Sequence, residues 1–220
     1  MARLKARVHE TDHGIQGVFT VKIYDQMQKR FRDRGWLETK DILKSGIRNG
    51  LVLEIGPGPG YLGLEWLNQT EGTVLKGLEI SPDMIALAER NARDYGLSDR
   101  VEYKRGSGAG IPFPDEIFDG AFSNGSLHEW SDPKSTLNET WRVLKPGGRF
   151  FVSDLRRDLF WGAKWFLWLV TKPKEIRPGL LTSLKAAYTP GEIKDLLQET
   201  RWRNYEVTGN LIGIKMRGVK

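Results

Sequence analysis

Leu51-Val52-Leu53-Glu54-Ile55-Gly56-Pro57-Gly58-Pro59-Gly60 is the stretch from which the fold can be worked outward. Its first half is a short apolar run, β-rich at Val52 and Ile55, and predicts a buried strand that stops where the glycines begin. Its second half sets three glycines at alternate positions ahead of a helix predicted over 60–68. Bare main chain there lets a ligand approach the backbone closely. Glu79 follows Gly56 by 23 residues, at the end of a second predicted strand over 73–79. A carboxylate at that place can accept hydrogen bonds from both hydroxyls of an adenosine ribose, so the two features together predict a nucleoside site.

Strands and helices alternate beyond this point. Ser81 as N-cap, Pro82 at the first helical position and the acidic Asp83 predict a helix that runs to Tyr95. Further strands are expected over 101–104, 119–123 and 149–154, with a helix over 133–144 between the last two. This order predicts an α/β fold, a Rossmann-like, mostly parallel seven-stranded sheet with helices on both faces. Two stretches of helical spacing, 18–34 and 36–45, precede the first strand. At the other end, strands over 205–208 and 211–216 flank Gly209-Asn210, a two-residue turn signal that predicts an antiparallel C-terminal edge hairpin. The chain of 220 residues is long enough for one substantial core. It divides into an N-terminal helical part (1–50), a ligand-binding core (51–154), a second helical part (155–203) and the hairpin (204–217).

The net charge of +6 is unevenly spread: residues 1–50 carry +5, residues 51–141 carry −8 and residues 142–220 carry +9. An acidic centre between basic flanks fits a cap that draws in an anionic acceptor or touches a membrane surface or RNA. The basic residues are scattered and no RNA-binding module is recognisable, which makes nucleic acid the weaker choice. No cysteine is present, so disulfides, thiolate metal sites and cysteine nucleophiles are excluded. No early apolar stretch of export type is seen, and the longest apolar run, 158–170, is shorter than the roughly 20 residues that cross a bilayer. A cytoplasmic location is the expectation, and no pattern sets an oligomeric state.

The glycine stretch alone leaves two ligands open, because Gly58-Pro59-Gly60-Tyr61-Leu62-Gly63 also matches the dinucleotide pattern G-x-G-x-x-G. The strand ends at Ile55, so Gly56 and not Gly58 is the first glycine of the turn, which argues against a nicotinamide cofactor. Glu54, two residues earlier, adds a negative group suited to a ligand bearing an ammonium and a sulfonium.

Four separated motifs carry a resemblance: Glu54 to Gly60; Gly77-Leu78-Glu79-Ile80-Ser81; Gly106 to Asp119 with Ile111-Pro112-Phe113-Pro114; and Arg142-Val143-Leu144-Lys145-Pro146-Gly147-Gly148. Over about residues 24–154 the chain resembles the class I S-adenosylmethionine-dependent methyltransferases, particularly the branch that includes the ubiquinone and menaquinone methyltransferases. The resemblance implies S-adenosylmethionine as cofactor and S-adenosylhomocysteine as product. It implies that Gly56, Gly58 and Gly60 line the methionine part, that Glu79 holds the ribose, and that Ile80 and Met84 flank the adenine. Gly106-Ser107-Gly108 stands where the family often has Gly-Asp-Ala, so Ser107 replaces a carboxylate that commonly faces the adenine amino group. Asn124, within Ser123-Asn124-Gly125-Ser126-Leu127-His128, falls where the family places residues around the reactive methyl. Tyr24 resembles an N-terminal tyrosine that closes over the cofactor.

The resemblance implies methyl transfer to a small acceptor, aromatic or lipophilic. RNA or protein methylation and non-catalytic cofactor binding are the alternatives. His128 is the candidate general base, since a near-neutral imidazole can take a proton from the acceptor, although methyl transfer is largely a matter of in-line positioning. Trp161, Trp165 and Trp168 are spaced i, i+4 and i+7, on one helix face. They are expected either to enclose an apolar acceptor or to pack on the core. His9-Glu10-Thr11-Asp12-His13 spells H-E-x-x-H, but Gly14 follows at once and no apolar helix carries it, so no metal is expected.

Overall fold

The structure, a computed structural model, describes residues 6–8 and 15–220. The H-E-x-x-H stretch lies outside the described residues.

Helices α1 (Val18–Asp33) and α2 (Thr39–Lys44) lead into strand β1 (Leu51–Ile55). Then come α3 (Tyr61–Asn68), β2 (Val74–Glu79), α4 (Pro82–Asp94), β3 (Val101–Arg105), β4 (Phe118–Asn124), α5 (Pro133–Val143) and β5 (Leu144–Leu155). The chain continues through α6 (Trp161–Val170), α7 (Arg177–Ala186), α8 (Pro190–Gln198), β6 (Asn204–Gly209) and β7 (Gly213–Val219). All seven strands join one sheet in the order β3-β2-β1-β4-β5-β7-β6. Strands β1 to β5 pair in parallel, while β7 runs antiparallel to both β5 and β6. The reversed strand thus lies one place in from the edge. The sheet is the Rossmann-like one expected, closed by an antiparallel edge pair.

Two details differ from the sequence expectation. Strand β5 starts at Leu144, before the expected 149, because Leu144 pairs with Phe118 ahead of a register shift that restores pairing at Gly120 and Arg149. The hairpin turn falls on Leu211-Ile212, not on Gly209-Asn210: the Asn210 N–H donates to the Gly213 carbonyl, and Asn210 Oδ1 accepts from the N–H groups of Ile212 and Gly213. The asparagine closes the turn through its side chain from the first flanking position.

Strand alternation divides β1 between two cores. Leu53 and Ile55 join the face built with Leu137 of α5, Ile193 and Leu197 of α8 and Trp202. Val52 joins the opposite face with Leu64 and Trp66 of α3, Ala88 of α4 and Tyr103. Helices α6 and α7 share only a small cluster of four buried residues, Leu159, Ala163, Leu167 and Leu184. The order reverses between β1 and β4, which run side by side while the chain builds outward from each. Crevices at the carboxyl ends of strands open at such a switch point, and the candidate site lies there.

Candidate functional site

The turn after β1 is shaped by left-handed backbone. Gly56 has φ 70° and Gly58 φ 54°, conformations that side-chain-bearing residues rarely adopt. The Gly56 N–H donates to the Leu78 carbonyl at 2.9 Å, and Asn91 Nδ2 of α4 donates to the Pro59 carbonyl at 2.8 Å, so the loop is pinned from both neighbouring elements. The β4 end is pinned to it too. Ser123 Oγ donates to the Ile55 carbonyl at 2.7 Å and shares a 2.7 Å hydrogen bond with Ser126 Oγ, which accepts from Trp130 Nε1 at 3.1 Å.

An open cleft lies over these strand ends. Gly56, Gly58, Glu79, Ile80, Met84, Ser107, Gly108 and Tyr24 all line it, as does Ile55. The buried Glu79 is held tightly: one oxygen accepts from the Ile80 and Ser81 N–H groups at 2.9 Å each, and the other from the Gly58 N–H at 3.0 Å. Burial raises its pKa and these three donors oppose the rise by favouring the charged form. Ile80 and Met84 give the wall beside Glu79 an apolar flank, and Ser81 caps α4 through Oγ. Ser107 caps a short 3-10 turn by accepting from the Ala109 N–H, and Gly108 has no room for a side chain because a Cβ would lie 2.6 Å from Thr136 Cγ2.

The N-terminal segment crosses the cleft rim. Ser81 Oγ donates to the Ile15 carbonyl at 2.6 Å and the Gly17 N–H donates to Asp83 at 2.9 Å, which brings Ile15 onto the wall. Helix α1 is anchored by the buried Asp25, which accepts from Tyr61 Oη at 2.7 Å and pairs with Lys29 at 2.9 Å. Tyr24, beside it, reaches to the glycine loop. Its hydroxyl accepts from Gln28 Nε2 at 3.0 Å, and burial pushes its pKa well above the ordinary tyrosine range.

Four expected residues stand elsewhere. Glu54 shares its strand face with Val52, so it points beneath the loop toward Gly63 and Tyr103 and not into the cleft. One of its oxygens has no hydrogen-bond partner, and burial, reinforced by Glu79, pushes its pKa up to about 8. Burial thus favours its neutral form, and its side chain faces away from the cleft. Gly60 serves packing, since a Cβ there would lie 2.5 Å from Tyr103 Oη. Asn124 is off the cleft wall and donates to Ser153 Oγ at 2.7 Å.

His128, the fourth, is 5 % exposed and also off the wall. Its Nδ1 meets both oxygens of Asp154 at 2.9 Å, its N–H donates to the same carboxylate at 2.8 Å, and its carbonyl accepts from Arg7 at 2.9 Å. With Nδ1 engaged, the remaining Nε2 lies 3.9 Å from Glu129. The geometry is that of a strut tying the 3-10 turn at 127–129 to β5. Glu129, Trp130 and Ser131, just beyond it, do line the cleft together with Gly125, Ser126 and Thr136. Sequence reasoning missed Glu129, Trp130, Ser131, Thr136 and Ile15. The stretch after β4 was marked by its position, but the turn that rotates 128 inward and 129–131 outward leaves no sequence pattern.

The aromatic band is a larger departure. In α6 the buried residues are Ala163 and Leu167, on the face opposite the tryptophans. Trp161 is 82 % exposed, Trp165 60 % and Phe166 53 %, and none lines the cleft. They line neither the cleft nor the buried core.

Comparison with known proteins fits this geometry. Residues 53–152 match the methyltransferase domain family described as Methyltransferase domain. Methyltransferase GfsG of Streptomyces halstedii is 32% identical over 104 residues, 47% of this chain and 37% of that protein. Demethylmenaquinone methyltransferase of Thermus thermophilus is 33% identical over 103 residues, 47% of this chain and 46% of that protein. The aligned stretch spans less than half the length of each. Among solved structures, a SAM-dependent methyltransferase from Aquifex aeolicus superposes with a TM-score of 0.68 at 20% identity, covering 89% of this chain and 97% of the other. At that identity the likeness is one of fold.

Proposed function

We propose that this chain, whose residues 53–152 match a methyltransferase domain family, is a class I S-adenosylmethionine-dependent methyltransferase that moves a methyl group from that cofactor to a small-molecule acceptor. The observation that carries the reading is the meeting of three groups from three elements at one switch-point cleft: the Gly56–Gly58 main chain, the Glu79 carboxylate and the Tyr24 ring.

The cofactor fits these residues. Glu79 has one lone-pair position left, on the oxygen that accepts from Gly58, for a ribose hydroxyl, Ile80 and Met84 give an apolar slot for adenine, and Ser107 can hydrogen-bond at its edge. Gly58 exposes main chain where the amino-acid end would lie. When bound, S-adenosylmethionine supplies an electrophilic methyl on a positively charged sulfur. The chain contributes position and electrostatics: Glu79 and Glu129 are the carboxylates on the wall, and Tyr24 covers the glycine loop and keeps water from it. His128 acts through the loop it braces, holding Glu129 and Trp130 on the wall.

An aromatic or lipophilic acceptor is the finer reading. Trp130, Ile15 and Ile55 give the cleft apolar surface, and the name of the Thermus relative specifies demethylmenaquinone.

Calorimetry with S-adenosylmethionine and with NADH is the direct test: binding of the first and not of the second is expected, and the reverse result would overturn the assignment. Labelled methyl transfer to quinols, phenols and amines then identifies the acceptor. His128→Asn is expected to slow turnover without altering its pH profile. Loss of a near-neutral titration in that variant would restore the imidazole as base.

A further inference from the structure

Among the described residues fourteen large apolar side chains are exposed, and eight of them fall between Phe160 and Leu181. Six belong to the ten-residue α6: Trp161, Trp165, Phe166, Trp168, Leu169 and Val170. Among the described residues of the helix only Ala163 and Leu167 are buried, so its outer side is more apolar than its inner one. A contiguous apolar surface of this kind marks a site of association.

The charges around it say with what. Residues 159–187 hold five cations (Lys164, Lys172, Lys174, Arg177 and Lys185) and a single carboxylate, Glu175. Arg177 lies over the Trp168 ring at 4.0 Å and donates to the Leu169 carbonyl at 3.2 Å, so its positive charge is fixed at the border of the patch. A second copy seated on the same face would bring lysines against lysines. A layer of anionic headgroups would instead meet every cation with opposite charge while the rings enter the boundary between headgroups and acyl chains. Tryptophan, with an apolar body and one N–H, is suited to that depth. The helix, about 15 Å long, cannot cross a bilayer but can lie in its surface plane; no described helix is long and apolar enough to cross one.

We infer that α6, with Phe160 and Leu181 beside it, is a docking face for an anionic lipid bilayer. Helix α7, which continues from it, packs against the turn at 127–129 that carries Glu129 to the cleft. The inference needs neither methyl transfer nor a bound cofactor.

The test is co-sedimentation of the full chain with vesicles of phosphatidylcholine alone and of phosphatidylcholine mixed with phosphatidylglycerol, at low and high salt. Salt-sensitive binding to the mixed vesicles is expected. The double variant Trp161→Ser, Trp165→Ser is expected to lower partitioning by about tenfold or more. Lys172→Glu with Lys174→Glu is expected to lower it by roughly fivefold or more for each cation removed. Leu211→Ser, at an exposed apolar residue on the hairpin turn, serves as control and keeps binding. Thermal unfolding midpoints of all variants are expected to match the parent, because the altered side chains are exposed. Equal binding by parent and double variant, no binding by the parent, or equal binding to both vesicle types overturns the inference. So does a dimer in sedimentation equilibrium that Trp161→Ser, Trp165→Ser disperses, which would give the face to a second copy.

Discussion

The loop after β1 and helix α6 are both rich in residues that stand out in the sequence, yet they point them in opposite directions. The loop and its neighbours turn Gly58, Glu79, Ile80, Met84 and Tyr24 toward one cleft, with Glu79 bonded to Gly58 across two elements and Tyr24 bonded to Gln28. Helix α6 turns Trp161, Trp165 and Phe166 outward, with no described residue burying them. A ligand site needs fixed geometry and draws it from the large cores on either face of the sheet. A surface that meets a soft partner needs only to present area, and the four-residue cluster under α6 and α7 suffices for that.

The contrast can be broken most sharply at Glu79. Glu79→Ala removes the only carboxylate at the end of β2 and strands the N–H groups of Gly58, Ile80 and Ser81. S-adenosylmethionine affinity is expected to fall by about 100-fold or more, measured by calorimetry. An unchanged affinity would mean that the cleft is not the cofactor site. Stability separates the two regions next. Gly60→Ala forces a side chain onto φ 82° and places its Cβ 2.5 Å from Tyr103 Oη, for an expected loss of about 1–3 kcal/mol in denaturant unfolding. Trp161→Ser is expected to stay within about 0.5 kcal/mol of the parent. Equal losses at the two sites would erase the distinction.

A further test concerns pH. Glu54 has a folded pKa of about 8 against an ordinary 4.5, so the folded state binds its proton more tightly than the unfolded one. Its stabilising contribution is present below pH 4.5 and is lost as pH rises through about 8. Glu79, also raised, acts in the same sense. Glu54→Gln is expected to flatten the decline in melting temperature between these pH values. A parent and variant with parallel profiles would show that Glu54 is ionised throughout.

Much of the inward region was legible because its signals are local. Glycines after a strand, a carboxylate at the end of the next, and Ser81-Pro82 at a helix start each act within a few residues of chain. Glu54 shows where motif reading overrode a simpler rule: alternation along β1 already groups it with Val52 and against Ile55, so its side of the sheet was available from the sequence. The α6 tryptophans were placed correctly on one face, but spacing does not say which way a face looks. Ala163 and Leu167 carry that information only once the small cluster beneath them is known. His128 lay beyond reach for another reason. Its orientation depends on Asp154, 26 residues away, and on Arg7 from the other end of the chain.

The central place of β1 has a consequence for specificity. This strand is bonded on both sides, to β2 from Leu51 to Ile55 and to β4 from Val52 to Glu54. A slip of one residue would exchange the two sides of the strand, sending a carboxyl group into the binding crevice and an isoleucine beneath it. Pairing on both flanks makes such a slip costly, so the hydrogen-bond ladder of the sheet also guards the chemical character of the surface that a ligand meets.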